Sequence, residues 1–360
     1  MKAQSKAMRK FRLILLPISF LYMGILWLRN RFYDIGLFKS QKGALKSIVL
    51  GNLSFGGTGK TPHIKMIIDI LSKRFKMAVL SRGYGRESSG FLLVNELGES
   101  SLYGDEPVLL SKHSKDVPVA VCENRVFGLK QIKELIPTTD WVLLDDAFQH
   151  RHLKAELYIL LTTWDDPFSD DWVLPAGNLR DHPSEKSRAD AIVVTKCPEF
   201  IERNDPELWK NKLGLNATQA LFFSKIQYNT EKSAFGDPED RIGNRCVIGF
   251  AGIAQPKDFE NYLKSQFDLK KFKSFPDHYQ FTLNDLQTLH NDMLNFGGSD
   301  AVLVTTEKDL SRLAGQKEVE ILKSCNLFVI PIGIEMIAGE VGFEEWLIEA
   351  LKKRNGERLR

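Results

Sequence analysis

A glycine-rich turn between an apolar run and a helical pattern constrains this fold more than any other feature. The turn reads SFGGTGKT at residues 54–61, follows the apolar run Ser47–Gly51 and precedes Pro62. A strand, such a turn and a helix start, in this order, form a phosphate cradle, because backbone N–H groups and the helix N-terminus face one anion. The P-loop pattern has Gly where this chain has Ser54, and the three glycines that follow supply the backbone freedom.

We therefore predict that this turn binds the phosphates of a nucleoside triphosphate. The predicted binding residues are Ser54, Phe55, Gly56, Gly57, Thr58, Gly59, Lys60 and Thr61. Lys60 would reach the β- and γ-phosphates, and the Thr61 hydroxyl would bind Mg²⁺. The alternative is a tight turn between strand and helix that contains Gly-Lys-Thr by chance.

Length and composition indicate a folded protein of two domains. The chain has 360 residues, of which 43% are hydrophobic and 26% charged. A net charge of +3 gives no reason to expect nucleic-acid binding. The four cysteines are scattered without a CxxC pair, which fits a reducing compartment and argues against a disulfide framework or zinc site.

The first thirty residues differ from the rest of the chain. Residues 13–28 carry no charge, and lysines and arginines flank them on both sides. This run is shorter than the roughly 20 residues of a spanning helix and contains Pro17. We predict that residues 1–30 form a membrane-associated helix that lies in the interface, with its basic residues on anionic headgroups. A buried core helix and a true span are the alternatives.

Apolar runs alternate with helical patterns along the chain, which predicts an α/β fold with a doubly wound, mostly parallel sheet. The predicted ranges are 31–220 for a P-loop domain, 221–245 for an extended linker and 246–360 for a smaller C-terminal α/β domain. The predicted strands of the first domain are Ser47–Leu50, Met77–Ser81, Val117–Val121, Trp141–Leu144, Leu157–Leu161 and Ala191–Thr195.

Two carboxylates follow one of these predicted strands. Asp145 and Asp146 come directly after the apolar run Trp141–Leu144. A strand of this kind brings a carboxylate beside the P-loop Mg²⁺, so we predict that Asp145 or Asp146 contacts the metal directly or through water. A solvated turn is the alternative.

Several further blocks, taken together with the P-loop, resemble the tetraacyldisaccharide 4'-kinase family, the lipid A 4'-kinases. In chain order the blocks are GNL at 51–53, GGTGKTP at 56–62, LSRGYGR at 80–86, GDEP at 104–107, DDAFQH at 145–150, LPAGNLR at 174–180, FPDHY at 275–279 and TTEKD at 305–309. Two departures are Ala147, where the family usually has Gly, and Asp181, where it usually has Glu.

The resemblance implies a P-loop NTPase-like kinase domain and a defined reaction. The γ-phosphoryl of ATP, with Mg²⁺, would pass to the 4'-hydroxyl of an acylated glucosamine disaccharide 1-phosphate. A sugar hydroxyl is a poor nucleophile and benefits from a base, and the resemblance suggests Asp105 and His278 as that pair across the domain cleft. A helix cap is the alternative for Asp105, and a loop histidine bound to backbone is the alternative for His278.

Arg125, at the start of a helical pattern after the predicted strand Val117–Val121, and polar or basic side chains in the same blocks complete the predicted site. We expect Arg125 to stabilise the transferring charge, because its planar fork suits phosphate oxygens. The predicted substrate-binding residues are Asn52, Arg82, Arg86, Gln149, His150 and Arg180. Surface salt bridges are the alternative for the arginines. Lys308 and Asp309 are candidates for nucleotide or interdomain contacts, and a simple strand terminus is the alternative for both.

The leading hypothesis is thus a monomeric, ATP-dependent lipid kinase on the cytoplasmic face of the bacterial inner membrane. Its partners would be ATP, the acylated disaccharide phosphate and an anionic membrane surface. A membrane-associated P-loop NTPase that acts as a switch or chaperone is the second hypothesis, although neither switch-like threonines nor a base-specificity motif is evident. A nucleotide-binding scaffold without turnover is the third.

Overall fold

The order of strands in two sheets determines where functional side chains converge. The computed structural model describes residues 12–95, 98–277, 279–313, 320–323, 325–339 and 341–356. Within these residues there is a large sheet of nine strands, a smaller sheet of five strands and a sheet of two strands.

The strands are β1 (Gln41–Lys42), β2 (Lys46–Asn52), β3 (Met77–Ser81), β4 (Leu92–Leu93), β5 (Val119–Val121), β6 (Trp141–Asp145), β7 (Leu153–Lys154), β8 (Leu157–Thr163), β9 (Ala191–Thr195), β10 (Ala220–Tyr228), β11 (Lys232–Ser233), β12 (Cys246–Ala251), β13 (Asp268–Ser274), β14 (Val302–Thr306), β15 (Asn326–Ile330) and β16 (Ile332–Gly339). The α-helices are α1 (Leu16–Asp34), α2 (Lys60–Leu71), α3 (Ser100–Tyr103), α4 (Asp105–His113), α5 (Arg125–Leu135), α6 (Asp205–Leu213), α7 (Pro256–Gln266), α8 (Leu283–Gly297), α9 (Glu307–Leu313), α10 (Glu320–Lys323) and α11 (Phe343–Asn355).

The strand order is β16-β10-β9-β8-β2-β6-β3-β5-β4 in the large sheet, β11-β15-β14-β12-β13 in the smaller sheet and β1-β7 in the two-stranded sheet. The large sheet is parallel except at its two edges, where β4 and β16 pair antiparallel with their neighbours. Its central strands read as continuous apolar runs because helices cover both faces. Separate clusters of buried side chains form on the two faces. The predicted doubly wound α/β fold is confirmed, and all six predicted strands of the first domain are present.

The smaller sheet forms the second α/β unit. Strands β12, β13, β14 and β15 run parallel, while β11 pairs antiparallel with β15. Helix α8 begins with a capping box, in which Thr282 and Asp285 satisfy each other's backbone N–H groups. The strands and α8 bury a core of their own.

The strand pairing does not follow the predicted ranges 221–245 and 246–360. Strand β10 includes residues 221–228 of the predicted linker, and it pairs with β9 inside the large sheet. Strand β16 then returns from the second unit to pair with β10. Helix α11 follows it onto the large sheet, where Phe343 and Trp346 pack against Phe222 with ring centroids 5.1 and 5.3 Å apart.

Helix α1 lies against the body of the first domain. Its buried positions are Ser19, Leu26 and Asn30, which share one face. The Ser19 hydroxyl accepts from the Ala176 backbone N–H at 2.8 Å, and Asn30 donates to Asp181 Oδ1 at 2.8 Å. The predicted segment 1–30 is thus a helix from Leu16 onward, while residues 1–11 lie outside the described residues.

Candidate active site

The glycine-rich turn joins the end of β2 to the start of α2. Gly56 and Gly59 have φ values of 119° and 86°, which side chains other than glycine rarely adopt. Gly59 precedes the first residue of α2, so the turn opens at a helix N-terminus as predicted. His63 braces the turn from within α2, because Nδ1 lies 2.7 Å from the Gly59 carbonyl and Nε2 lies 3.0 Å from Ser224 Oγ on β10.

The P-loop lysine and its neighbours form a polar network. Lys60 Nζ donates to Asn52 Oδ1 at 3.3 Å and lies 3.7 Å from Asp146 Oδ1. Asn52 also donates to the Thr58 hydroxyl at 2.9 Å. These contacts hold the Lys60 ammonium at the mouth of the turn, where a triphosphate would need it.

Arg180 forms a bidentate ion pair with Asp146. Its two terminal nitrogens donate to the Asp146 oxygens at 3.0 and 2.8 Å, and its guanidinium lies 5.3 Å from the Phe55 ring centroid. Burial alone would raise the pKa of Asp146, but the Arg180 hydrogen bonds and the Lys60 charge lower it below its ordinary value. Asp146 is therefore a carboxylate that faces the phosphate cradle.

Asp145 occupies a different environment from its neighbour. The β2–β6 register places it beside Leu50, directly below the turn, and it is buried. Ser81 Oγ donates to Asp145 Oδ2 at 2.8 Å, whereas Oδ1 is buried and has no hydrogen-bond partner among the described residues. Burial, followed by the charges of Glu106 and Asp146, raises the pKa of Asp145 to about 7.

These carboxylates fit the Mg²⁺ that accompanies a P-loop triphosphate. The orphaned oxygen of Asp145 and the ionised Asp146 both lie beside the turn that carries Thr61. Among the described residues, no group of three or more His, Cys, Asp or Glu side chains could hold a metal ion alone. Mg²⁺ in phosphate-transfer sites generally takes one or two protein carboxylates and completes its coordination with substrate phosphates and water.

A cleft of about 410 Å³ opens from the P-loop toward the second domain. One wall consists of residues 54–62 together with Asp146 and Arg180. The opposite wall includes Ile253, Gln255 and residues 306–308 of the second domain. Ligand sites of doubly wound sheets lie at the carboxyl ends of the strands, which is where this cleft is found.

Asp105 lies at the contact between the two domains. It is the first residue of α4, where the N-cap is Gly104 and no side-chain cap bond forms. Arg312 Nε, on α9 of the second domain, donates to Asp105 Oδ2 at 2.7 Å. The predicted partner His278 lies outside the described residues, although Asp277 beside it lines the cleft.

Comparisons with known proteins show the family of this chain. The family model for tetraacyldisaccharide-1-P 4'-kinase, LpxK, matches residues 11–352. The chain belongs to this kinase family.

Relatives in the family match the chain almost end to end. The tetraacyldisaccharide 4'-kinase of Flavobacterium johnsoniae is 39% identical over 350 residues, covering 96% of this chain and 99% of that one. The one from Bacteroides thetaiotaomicron is 36% identical, covering 91% and 89%. The crystal structure titled as the "apo" form of LpxK from Aquifex aeolicus in complex with ATP superposes with a TM-score of 0.74 at 31% identity, covering 95% and 99%.

Not every predicted site residue faces the cleft. Arg125 is buried and donates to the backbone carbonyls of Cys122 at 2.8 Å and Asp145 at 2.9 Å. In this structure it supports the end of β6. Arg86 pairs with Glu123 and the Gly90 carbonyl, while Arg82 is exposed.

Gln149 and His150 lie beneath the P-loop and beside α1. Gln149 donates to the Asn52 carbonyl at 2.7 Å, and Arg29 of α1 donates to the Gln149 carbonyl at 3.1 Å. Burial, followed by the Arg125 charge, lowers the pKa of His150 to about 4, so this imidazole is neutral at physiological pH. These residues connect the nucleotide end of the site to the N-terminal helix.

Sequence reasoning within the family blocks missed several residues that shape the cleft. Glu106 lines it and lies 3.5 Å from Lys308 across the domain boundary, and Lys65 pairs with Glu307 at 2.7 Å. Glu106 and Glu307 stand inside the GDEP and TTEKD blocks, so position in a block is the available signal. Lys308 is already a candidate for an interdomain contact, and its proximity to Glu106 is such a contact. Arg312 lies outside every block.

Proposed function

We propose that this chain transfers the γ-phosphoryl of ATP to the 4'-hydroxyl of an acylated glucosamine disaccharide 1-phosphate. One observation carries the proposal. In a member of this kinase family, the P-loop, Asp146 and Arg180 converge at one end of an interdomain cleft whose far wall belongs to the second domain. Phosphoryl transfer depends mainly on positioning and charge stabilisation, and this cleft offers both.

The proposed roles follow from the contacts. Residues 54–61 would hold the triphosphate, with Lys60 at the β- and γ-phosphates once it exchanges Asp146 for phosphate oxygens. Thr61, Asp145 and Asp146 would hold Mg²⁺, which neutralises charge on the transferring group when bound. Asp105, together with His278, would accept the proton of the sugar hydroxyl.

The N-terminal helix supports attachment to the membrane interface. The segment Leu13–Asp34 is long and apolar enough to cross a membrane by length and composition. Arg12, however, donates to the Pro175 carbonyl at 2.9 Å near one end, and Arg151 donates to the Asn30 carbonyl at 3.1 Å near the other. A helix fastened to the protein body at both ends favours a position in the interface over a span.

The apolar side of this helix would face the lipid on the cytoplasmic leaflet. Its exposed stripe, between 46% and 69% exposed, consists of Ile14, Ile18, Leu21, Ile25 and Leu28. The spacing of three and four residues places these side chains on one face. The acyl chains of the substrate would then stay in the bilayer while the sugar reaches the cleft.

Mass spectrometry of the lipid after incubation with Mg-ATP tests the reaction directly. We expect a lipid product whose mass exceeds that of the substrate by one phosphoryl group. ADP release without that product would favour the P-loop NTPase hypothesis. Lys60→Ala and Asp145→Asn should each lower kcat by about 100-fold or more, because they remove charge stabilisation at the transferring group. Lys130→Ala, at an exposed lysine of α5, is the matched control and should behave like wild type.

A further inference from the structure

A buried arginine joins the two domains beside the proposed base. Arg312 lies on α9, and its side chain is fully buried. Its Nε donates to Asp105 Oδ2 at 2.7 Å, across the boundary between the second domain and α4. The predicted site contains four arginines, and Arg312 is not one of them.

The Arg312 guanidinium is itself held firmly by its own domain. Its Nη1 donates to the Gly252 carbonyl at 2.6 Å and to Asp309 Oδ1 at 3.0 Å. Asp309 in turn accepts from the Gly252 backbone N–H at 3.1 Å and from Thr306 Oγ1 at 2.7 Å. Contacts within the second domain therefore fix the orientation of the Arg312 guanidinium that donates to Asp105.

One nitrogen of the Arg312 guanidinium lies near a carboxylate that lines the cleft. Arg312 Nη2 is buried without a hydrogen-bond partner among the described residues, and it lies 3.6 Å from Asp277 Oδ1. Asp277 lines the cleft and directly precedes His278 in the chain. The Arg312 charge therefore lies close to two carboxylates, Asp105 and Asp277, at the boundary between the domains.

Stability alone is a poor explanation for this arrangement. Removing a guanidinium from water is energetically unfavourable, and apolar side chains of similar volume often replace buried ion pairs without loss of stability. A planar fork, by contrast, fixes the direction of each carboxylate that it contacts. The contacts of Arg312 are thus better suited to orienting groups than to joining domains.

We propose that Arg312 is a positioning residue for phosphoryl transfer, which orients the Asp105 carboxylate from the second domain. The inference rests on the proposed kinase function. Proton removal from the acceptor hydroxyl needs a base within hydrogen-bond reach and in the correct direction. Because the Arg312 guanidinium is held by the second domain, this orienting hydrogen bond to Asp105 exists only while the domains are in contact.

A set of variants distinguishes this positioning role from a purely structural contact between the two domains. Steady-state kcat and KM for Mg-ATP would be measured with the acylated disaccharide 1-phosphate for Arg312→Gln, Arg312→Lys, Asp105→Asn and the double variant Asp105→Asn/Arg312→Gln. Arg241→Gln, at an exposed arginine of the same domain paired with Glu239, is the matched control. Thermal unfolding of each variant monitors folding.

We expect Arg312→Gln to lower kcat by about 30-fold and to change KM for ATP by less than about threefold, because orientation of the base is lost while the P-loop is intact. Arg312→Lys should recover part of kcat, since lysine keeps the charge and loses the fork. In the Asp105→Asn background, Arg312→Gln should change kcat by less than about threefold, because the group it orients is gone. Arg241→Gln should match wild type.

Other outcomes overturn the inference in distinct ways. Wild-type kcat in Arg312→Gln, or losses that multiply in the double variant, would show that Arg312 does not act through Asp105. If Arg312→Gln unfolds, the Arg312→Lys result decides, and wild-type kcat there contradicts the role of the fork. Lack of lipid product with the wild-type protein would instead contradict the proposed function.

Discussion

At the scale of single residues, adjacent carboxylates at the end of β6 have opposite protonation tendencies. Burial raises the pKa of Asp145 to about 7, whereas Arg180 and Lys60 outweigh burial at Asp146 and lower its pKa. The sequence contains two identical residues here and offers no way to tell them apart. The difference arises because only Asp146 meets a guanidinium, and Arg180 comes from a loop 34 residues away.

The raised pKa of Asp145 predicts a pH-dependent stability. The folded state holds the Asp145 proton more tightly than the unfolded state, so stability is lost as pH rises from about 4 to about 7. Asp145→Asn removes this titration. Without Mg²⁺ or nucleotide, we expect it to exceed wild type in unfolding free energy by on the order of 3 kcal/mol at pH 8, with little difference at pH 4.

Urea unfolding of both proteins across that pH range measures the effect. His63 and His150 are present in both proteins, so their own titrations cancel in the difference. Asp116→Asn, at an exposed carboxylate, should follow the wild-type pH dependence. A constant difference between Asp145→Asn and wild type from pH 4 to 8 would refute the assigned environment.

At the scale of elements, helix α1 has two faces with different tasks. Ser19, Leu26 and Asn30 dock on the first domain, and the exposed apolar stripe points away from it. Asp181, the departure from the family's usual Glu, is buried and accepts the Asn30 hydrogen bond. The sequence predicts the apolar helix, but its docking partner depends on a loop about 150 residues further along.

Reducing the apolar stripe should weaken membrane binding and leave the fold intact. We expect Leu21→Ser/Ile25→Ser to lower partitioning onto vesicles containing anionic lipid by about tenfold or more, because two aliphatic side chains no longer leave water. Leu208→Ser, at a similarly exposed leucine on α6, is the matched control. Equal cosedimentation of the double variant and the control would contradict the proposed attachment.

At the scale of the whole molecule, the chain passes from the first domain into the second, and its last elements, β16 and α11, pack again in the first domain. Leu347 on α11 is fully buried in the cluster that contains Ile48 and Leu50 of β2, although almost 300 residues separate them in the chain. Leu289 on α8 is equally buried, but in the second domain. The stability of the P-loop domain therefore depends on the C-terminal end of the described chain.

Two leucine truncations test this connectivity. Leu347→Ala should destabilise by about 3 kcal/mol and increase hydrogen exchange in β2 and β10, because the cavity opens in the first core. Leu289→Ala, a matched change of the same chemistry, should instead increase exchange in β12 and β14. If Leu347→Ala left β2 and β10 protected and exposed the second sheet, the packing of α11 would be refuted.

The sequence alone predicts the features that depend on neighbours in the chain. The P-loop turn, the apolar strands and the carboxylates at the end of β6 follow from local periodicity and from the backbone freedom of glycine. Strands β3 and β9 have the predicted bounds for this reason. The expected reaction came from the family blocks, whose order and composition resemble those of the kinase family.

Only the tertiary structure decides which distant groups meet. The pairing of Arg312 with Asp105, the docking of Asn30 on Asp181 and the return of β16 to β10 all join residues that are more than 100 positions apart. Arg125 is the opposite case. Its guanidinium suits phosphate, and the sequence therefore predicted a charge-stabilising role, but in the structure it donates to buried backbone carbonyls. Local pattern specifies what each segment becomes, whereas burial and hydrogen-bond geometry, which exist only once the segments pack, determine its partners.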